Sequence, residues 1–233
     1  MSRTGAEAVS AKKTDVRKMV ILAMFAALGY ICLFLFRFKV QFLTLEFKDV
    51  FITMAGFVYG PLSALGVALA ESLIEMVTLS DTGFWGALMN FAGSAAFACT
   101  ASLIYKYKKS FDGAVIGLAA SVFSMTAVML LMNLIITPIY MHTTAKVVVS
   151  LIPSLLLPFN LVKSVLNAAV VFILYKPMTH ALRAAGLIPK SSAEFKVGKK
   201  SVIGLVIALA VAAASVYVIM SVFNGSFTLV SAK

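Results

Sequence analysis

The chain has 233 residues, of which 61% are hydrophobic and only 12% are charged. A soluble domain of this length cannot bury so much apolar surface, so the composition predicts an all-α integral membrane protein. The net charge of +11 does not indicate nucleic-acid binding, because the basic residues lie in the segments between apolar runs.

Seven apolar segments predict seven helices. They cover residues 19–36, 49–60, 62–77, 87–105, 114–137, 155–175 and 202–223. The second helix is expected to end at Gly60-Pro61 and the fifth at Pro138, because proline lacks the amide hydrogen that a helix needs. The polar and aromatic segment 37–48 is predicted to be a loop.

These segments divide the chain into four regions. We expect a basic N-terminus (1–18), a six-helix substrate-binding domain (19–177), a basic linker (178–200) and an additional transmembrane helix with a short outer tail (201–233).

The basic residues also predict the orientation. Residues 1–18, 106–109 and 176–200 contain 14 of the 20 lysines and arginines. Such segments usually stay in the cytoplasm. We therefore expect a multi-pass protein of the cell membrane with its N-terminus in the cytoplasm.

Polar side chains interrupt the apolar segments. At 100° per residue, Asn160, Lys163 and Asn167 lie on one stripe of the sixth helix. A charge at a helix centre costs roughly 2.5–3.5 kcal/mol on insertion scales, so it normally faces a cavity or a partner. The stripe predicts a ligand site, although a purely structural ion pair is the alternative.

Further polar residues fall in the outer halves of other helices. They are Glu71 and Glu75 in the third helix, Asn90 in the fourth and Asn133 in the fifth. Together with the stripe they predict a polar cup that opens outward above an apolar floor. The two carboxylates leave two alternatives open: they take part in metal or proton coupling, or one of them neutralises Lys163.

Several common motifs are absent from the sequence. There is no GxxxxGK[ST] segment for nucleotide hydrolysis and no HExxH or GxSxG segment for catalysis. Cys32 and Cys99 have no metal-ligand spacing. We therefore expect neither an enzyme nor a metal site. A proton-coupled secondary carrier would contain inverted repeats, and no such repeat is evident.

Four stretches carry a family resemblance. They are PFNLVK (158–163), NLIITPIY (133–140), FVYGPLSALGV (57–67) and TGFWGALMNF (82–91). Over about residues 19–177 the chain resembles the riboflavin-binding S components of energy-coupling factor (ECF) transporters. The resemblance implies six helices, a vitamin bound in their outer half and a long first loop folded over it.

The resemblance also implies ligands and partners. The transported ligand would be riboflavin or a related flavin, with no resident cofactor. The partners would be a transmembrane scaffold protein and two ABC-type ATPases. Ala23 and Ala27 match the AxxxA pattern by which such components dock on the scaffold, and their small side chains permit close helix contact.

The resemblance assigns roles to particular residues. It places Asn133, Asn160 and Lys163 on the flavin. The cup adds Asn90, Glu71 and Glu75 as candidate ligand-binding residues, and the aromatic candidates near its mouth are Phe42, Phe47, Trp85, Tyr140 and Phe159. The chain departs from the family pattern at three places. Glu71-Ser72 occupy the positions where the family commonly has Lys-Asn, Ala87 occupies the position of a glutamate, and Phe84 occupies the position of a glycine. Another vitamin, such as pantothenate or folate, is the alternative ligand.

The last apolar run, Val202 to Phe223, contains no charged or amide side chain. We expect it to cross the membrane without lining the site, so that truncation after Lys200 leaves the ligand affinity intact.

Overall fold

The computed structural model describes residues 3–80, 82–186, 199–223 and 226–227. The helices are α1 (Arg3–Leu35), α2 (Lys48–Tyr59), α3 (Pro61–Thr78), α4 (Gly83–Tyr107), α5 (Phe111–Tyr140), α6 (Ala145–Leu151), α7 (Leu157–Ala184) and α8 (Lys199–Tyr217). The strands are β1 (Arg37–Val40), β2 (Leu43–Glu46) and β3 (Ser226–Phe227), and π-helical turns cover Ile152–Leu156 and Val218–Val222.

Six helical segments within these described ranges are long and apolar enough to cross a membrane. They are Val16–Leu35, Pro61–Thr78, Gly83–Tyr107, Phe111–Tyr140, Ala145–Ala184 and Val202–Ser221. The 12 residues of α2 span only about 18 Å at the usual helical rise, less than the roughly 30 Å hydrocarbon core. The predicted all-α membrane fold is confirmed, with a second helix that is not among the six candidate spans.

Two prolines lie inside helices, and one of them, Pro138, was predicted to end the fifth helix. Pro138 lies inside α5, which continues to Tyr140, and Pro177 lies inside α7. Membrane helices tolerate proline where neighbouring groups satisfy the freed backbone carbonyl. As a result α7 extends to Ala184, into the predicted linker, most of which lies outside the described residues.

The sixth predicted helix also begins earlier than expected. Residues 145–151, which precede the predicted segment 155–175, form α6, and the π-helical turn Ile152–Leu156 joins it to α7. This turn contains Pro153, and such single π turns are typical of insertions or strain within a helix.

The segment predicted as the first loop is a β-hairpin. Residues 37–46 form β1 and β2, which pair antiparallel with Arg37 opposite Glu46 and Val40 opposite Leu43. The two-residue turn has Gln41 at a φ of 52°, as tight hairpins require. On its other edge β1 pairs with β3, so the sheet order is β2-β1-β3. We refer to residues 37–46 as the hairpin.

The helices pack closely around α2. Most of α2 is buried, and α1 contributes the buried side chains of Ile21 and Phe25 to the same core. At Gly117 of α5, an added Cβ would lie 2.7 Å from the carbonyl oxygen of Ala101 in α4. A small residue at this point lets the two backbones approach, as is common between membrane helices.

The hairpin has its own apolar core. Val40, Leu43 and Leu45 are buried together with Phe159 of α7 and Ile219 of the turn that follows α8. This second core holds the hairpin at one end of the helix bundle, where it faces the polar side chains of α3, α4, α5 and α7.

Candidate functional site

A cavity of about 230 Å³ lies beneath the hairpin. Its lining residues are Arg37, Lys39, Gln41, Phe42, Leu43 and Thr44 of the hairpin, Glu75 of α3, Ser80 and Thr82 of the following loop, Gly86, Met89 and Asn90 of α4, Met129, Asn133 and Tyr140 of α5, and Phe159, Asn160 and Lys163 of α7. The hairpin therefore forms one wall of the cavity and four helices form the rest.

The structure brings most of the predicted site residues together. Of the nine predicted ligand-binding residues, Asn133, Asn160, Lys163, Asn90, Glu75 and Tyr140 line the cavity, and so do the aromatic candidates Phe42 and Phe159. Glu71, Phe47 and Trp85 do not line it. Phe47 packs edge-on against Phe38 with ring centroids 6.3 Å apart, and Trp85 contacts Phe84.

Two asparagines are held by hydrogen bonds to backbone carbonyls four residues earlier in the chain. The Asn133 amide donates to the Met129 carbonyl at 2.7 Å, and the Thr137 hydroxyl donates to the Asn133 side-chain oxygen at 2.9 Å. The Asn160 amide donates to the Leu156 carbonyl at 2.8 Å. These bonds fix both side chains at the cavity wall, so little further ordering is needed when a ligand binds.

Lys163 joins α7 to the hairpin. Its ammonium donates to the backbone carbonyl of Thr44 at 3.0 Å and lies 3.4 Å from the Glu46 carboxylate. Neutralisation of Lys163 by Glu71 or Glu75 was one of two alternatives, and within the described ranges the carboxylate that pairs with Lys163 is that of Glu46. The neutralising carboxylate lies on β2, because the hairpin folds over α7 and brings Glu46 closer than either residue of α3.

A second lysine completes the ion-pair network. Lys48, at the start of α2, lies 3.1 Å from Glu46 and also contacts the carboxylate of Glu75. Asn90 donates to the other Glu75 oxygen at 2.7 Å. Burial alone would raise the pKa of Glu46, but the ammonium groups of Lys48 and Lys163 outweigh it and lower that pKa to about 2. Glu46 is therefore ionised throughout the physiological pH range.

Asn167 of α7 also forms a hydrogen bond to the hairpin. Its amide donates to the backbone carbonyls of Glu46 and Lys163, each at 3.2 Å. The predicted stripe on the sixth helix is confirmed, since Asn160, Lys163 and Asn167 are all buried on one face of α7. Two of its members line the cavity, and the third holds the hairpin.

Glu71 has a different environment. It is fully buried against α1, where an added Cβ on Gly29 would lie 2.2 Å from the Glu71 Oε1 atom. Neither carboxylate oxygen has a hydrogen-bond partner among the described residues. The sequence predicted that Glu71 belongs to the polar cup with Glu75, but its side chain lies against the neighbouring helix and does not line the cavity.

The sequence reasoning missed the polar residues of the hairpin and Lys48 at the start of α2. Arg37, Lys39 and Thr44 line the cavity, and Glu46 and Lys48 form the network beside it. One signal was available: in RFKVQFLTLEFK, residues 37–48, polar and apolar side chains alternate, which is typical of a strand.

The two alanines predicted to dock a partner lie on the outer surface of α1. Ala23 and Ala27 are both exposed, whereas Ile21 and Phe25 between and beside them are buried in the core. Both alanines of the AxxxA pattern are therefore accessible on the surface of the described bundle.

The chain is similar to known transport proteins. A family model described as "ECF transporter, substrate-specific component" matches residues 17–175. The chain is 29% identical over 178 residues to "Riboflavin transporter RibU" of Staphylococcus aureus (strain TCH60), an alignment that covers 72% of this chain and 93% of the relative. It is 24% identical over 185 residues to "Riboflavin transporter FmnP" of Bacillus subtilis (strain 168), with 73% and 97% covered.

A solved structure has the same fold. It is the S component of a bacterial ECF transporter, with a TM-score of 0.62 and 27% sequence identity, and the match covers 72% of this chain and 99% of that one. Because the family model also spans more than half of the chain, the chain belongs to the substrate-specific components of ECF transporters.

Proposed function

We propose that this chain is the riboflavin-binding subunit of an ECF-type vitamin transporter. The observation that carries the proposal is the convergence of Asn133, Asn160 and Lys163 on one polar cavity closed by the hairpin. Two of the relatives are named riboflavin transporters, which favours a flavin over pantothenate or folate.

The lining residues suit the chemistry of a flavin. The pyrimidine edge of the ring presents carbonyl oxygens and an N–H group, and amide side chains such as Asn133 and Asn160 offer both donors and acceptors. The Lys163 ammonium can donate a hydrogen bond to a carbonyl oxygen of the ring or to an oxygen of the ribityl chain. Phe42, Tyr140 and Phe159 lie on the same cavity and provide aromatic faces for the ring system.

The cavity volume fits a binding site that opens and closes. Ligand pockets usually measure roughly 300–1,000 Å³, whereas this cavity measures about 230 Å³. Since the hairpin forms one wall, its outward displacement enlarges the cavity and admits the ligand. The ion pairs from Glu46 to Lys48 and Lys163 hold the hairpin in place afterwards.

Uptake requires partner proteins. The sequence contains no nucleotide-binding motif, so the energy for release on the cytoplasmic side comes from a transmembrane scaffold protein with two ABC-type ATPases. The exposed Ala23 and Ala27 on α1 are the proposed docking face. With the N-terminus in the cytoplasm, the hairpin and cavity face outward and capture the vitamin there.

The decisive experiment is to purify the protein from growing cells and record its absorbance spectrum. We expect a yellow preparation with flavin bands, and tight quenching of riboflavin fluorescence when the stripped protein is titrated. Pantothenate and folate serve as competitors and should not displace the flavin. Binding of either competitor without binding of riboflavin would refute the proposal.

A further inference from the structure

The C-terminal segment of the chain reaches the hairpin. Strand β3 pairs antiparallel with β1, placing Phe227 opposite Phe38 and Ser226 opposite Lys39. Since β2 pairs with the other edge of β1, the hairpin is hydrogen-bonded to a segment that lies more than 175 residues later. The residues after 175 lie outside the family match.

Side chains reinforce this pairing. Ala212, Val216, Ile219 and Phe223 recur at the three- and four-residue spacing of one helical face, and all belong to the apolar core of the hairpin. Ile219 is only 1% exposed and lies in the same core as Val40, Leu43 and Leu45. Its burial therefore depends on the hairpin being closed.

The same apolar face of α8 and its following turn also contacts a residue of the cavity wall. The ring of Phe223 packs edge-on against Phe159, with centroids 6.4 Å apart, and Phe159 lines the cavity. The described residues of α8 and of the turn after it do not line the cavity themselves. Ile219 and Phe223 are therefore positioning residues, which act on the site through the hairpin and Phe159.

We propose that α8, the turn after it and β3 form a clamp that holds the hairpin closed and sets the rate at which the ligand enters and leaves. The inference rests on the proposed flavin-binding function. A clamp that does not touch the ligand stabilises the closed hairpin equally in the free and the loaded protein. Such a contact changes both rate constants by the same factor and leaves the affinity unchanged.

The first test removes the clamp contacts without shortening the chain. In a variant with Ile219→Ala and Phe223→Ala, stopped-flow quenching of riboflavin fluorescence should show association and dissociation rate constants that each rise about tenfold or more. The dissociation constant should change by less than about twofold. The matched control is Met220→Ala, because Met220 is 41% exposed on the same turn. Unchanged rates in the double variant would overturn the clamp, and so would an equal effect of the control.

The second test strengthens the clamp. Directly opposed residues of antiparallel strands have Cα atoms about 4.5–5.5 Å apart, which permits a disulfide. Phe38→Cys with Phe227→Cys, in a background of Cys32→Ser and Cys99→Ser, should slow both rates when oxidised, and reduction should restore them. Oxidised protein that exchanges flavin as fast as reduced protein would contradict the proposal.

Hydrogen exchange separates this proposal from the flavin assignment. Amides of residues 37–40 should exchange faster in the Ile219→Ala, Phe223→Ala variant than in the Met220→Ala control, with or without riboflavin. If the parent protein does not bind riboflavin, the flavin assignment fails, and this exchange measurement still decides the clamp. Equal protection in the two variants would overturn it.

Discussion

At the scale of single residues, the polar side chains of the cavity have two kinds of role. Asn133 and Asn160 each donate a hydrogen bond to a backbone carbonyl four residues earlier and line the cavity. Lys163 lines the cavity and also anchors the hairpin through Thr44 and Glu46. On the proposed function, we therefore expect a substitution at Lys163 to affect both ligand binding and closure of the hairpin, and one at Asn160 to affect ligand binding alone.

We expect Asn160→Ala and Lys163→Ala each to weaken riboflavin binding about tenfold or more. Each loses a hydrogen bond in a desolvated site, which costs about 1–3 kcal/mol. The measurement is a titration by flavin fluorescence quenching. Ser164→Ala is the matched control, because Ser164 is a buried neighbour on α7 that does not line the cavity. Parent-like affinity in both variants would exclude these residues from the site.

The contact between Gly29 and Glu71 gives a second residue-scale prediction. Because an added Cβ would meet the carboxylate at 2.2 Å, Gly29→Ala should destabilise the protein by about 1–3 kcal/mol, the usual cost of overpacking. Thermal unfolding in detergent measures this loss, and adding Glu71→Ala should relieve the overlap.

Gly66→Ala is the control for this substitution, since a Cβ at Gly66 has nothing within 4 Å. It should be neutral or slightly stabilising, because alanine is the better helix former. If the two alanine variants unfold at the same temperature, Glu71 does not pack against α1 in the way described.

At the scale of elements, α1 presents two distinct faces. Ile21, Phe25 and Leu33 are buried in the bundle, while Ala23 and Ala27 are exposed on the opposite side. A helix with one face buried and a second, small-residue face exposed is suited to contact another membrane helix.

We expect Ala23→Leu with Ala27→Leu to abolish uptake while riboflavin binding by the purified subunit stays intact. The added side chains hold a partner helix away without touching the cavity. Co-purification with the scaffold protein measures the loss, and Ala119→Leu, at an exposed alanine of α5, is the control. Normal assembly of the double variant would show that the docking face lies elsewhere.

At the scale of elements, the sequence predicts the long helices but misses the hairpin and its contacts. Hydropathy alone predicts the long spans, and helical spacing predicts that Asn160, Lys163 and Asn167 share a buried face. The hairpin was missed because a short amphipathic strand carries a weak pattern beside a long apolar helix. The partner of Lys163 was also missed, because Glu46 lies 117 residues away and no local pattern encodes that contact.

At the scale of the whole molecule, the hairpin and the end of α8 lie at the same end of the bundle, since β3 pairs with β1. The start of α1 and the connection between α4 and α5 lie toward the other end, one helix length away. The orientation of the chain in the membrane can therefore be determined by labelling a few positions at each end of the bundle.

We expect cysteines at Thr143 and Ser226 to react with an impermeant thiol reagent in whole cells, and a cysteine at Lys109 to react only after permeabilisation. All three belong in a Cys32→Ser, Cys99→Ser background. The basic residues near Lys109 are the type retained in the cytoplasm. Labelling of Lys109→Cys but not Thr143→Cys in intact cells would invert the proposed orientation.

The charges at the start of α2 have a consequence for synthesis in the cell. Glu46 and Lys48 leave the ribosome early and can pair with each other, but α3 adds the carboxylate of Glu75, and the second ammonium, that of Lys163, follows only with α7. Unpaired charges are costly in hydrocarbon, and α2 is too short to cross the bilayer easily alone. We therefore expect α2 to remain at the membrane surface or beside the insertion machinery until α7 has been synthesised. The N-terminal α2 would then enter the bilayer only after helices of the C-terminal half.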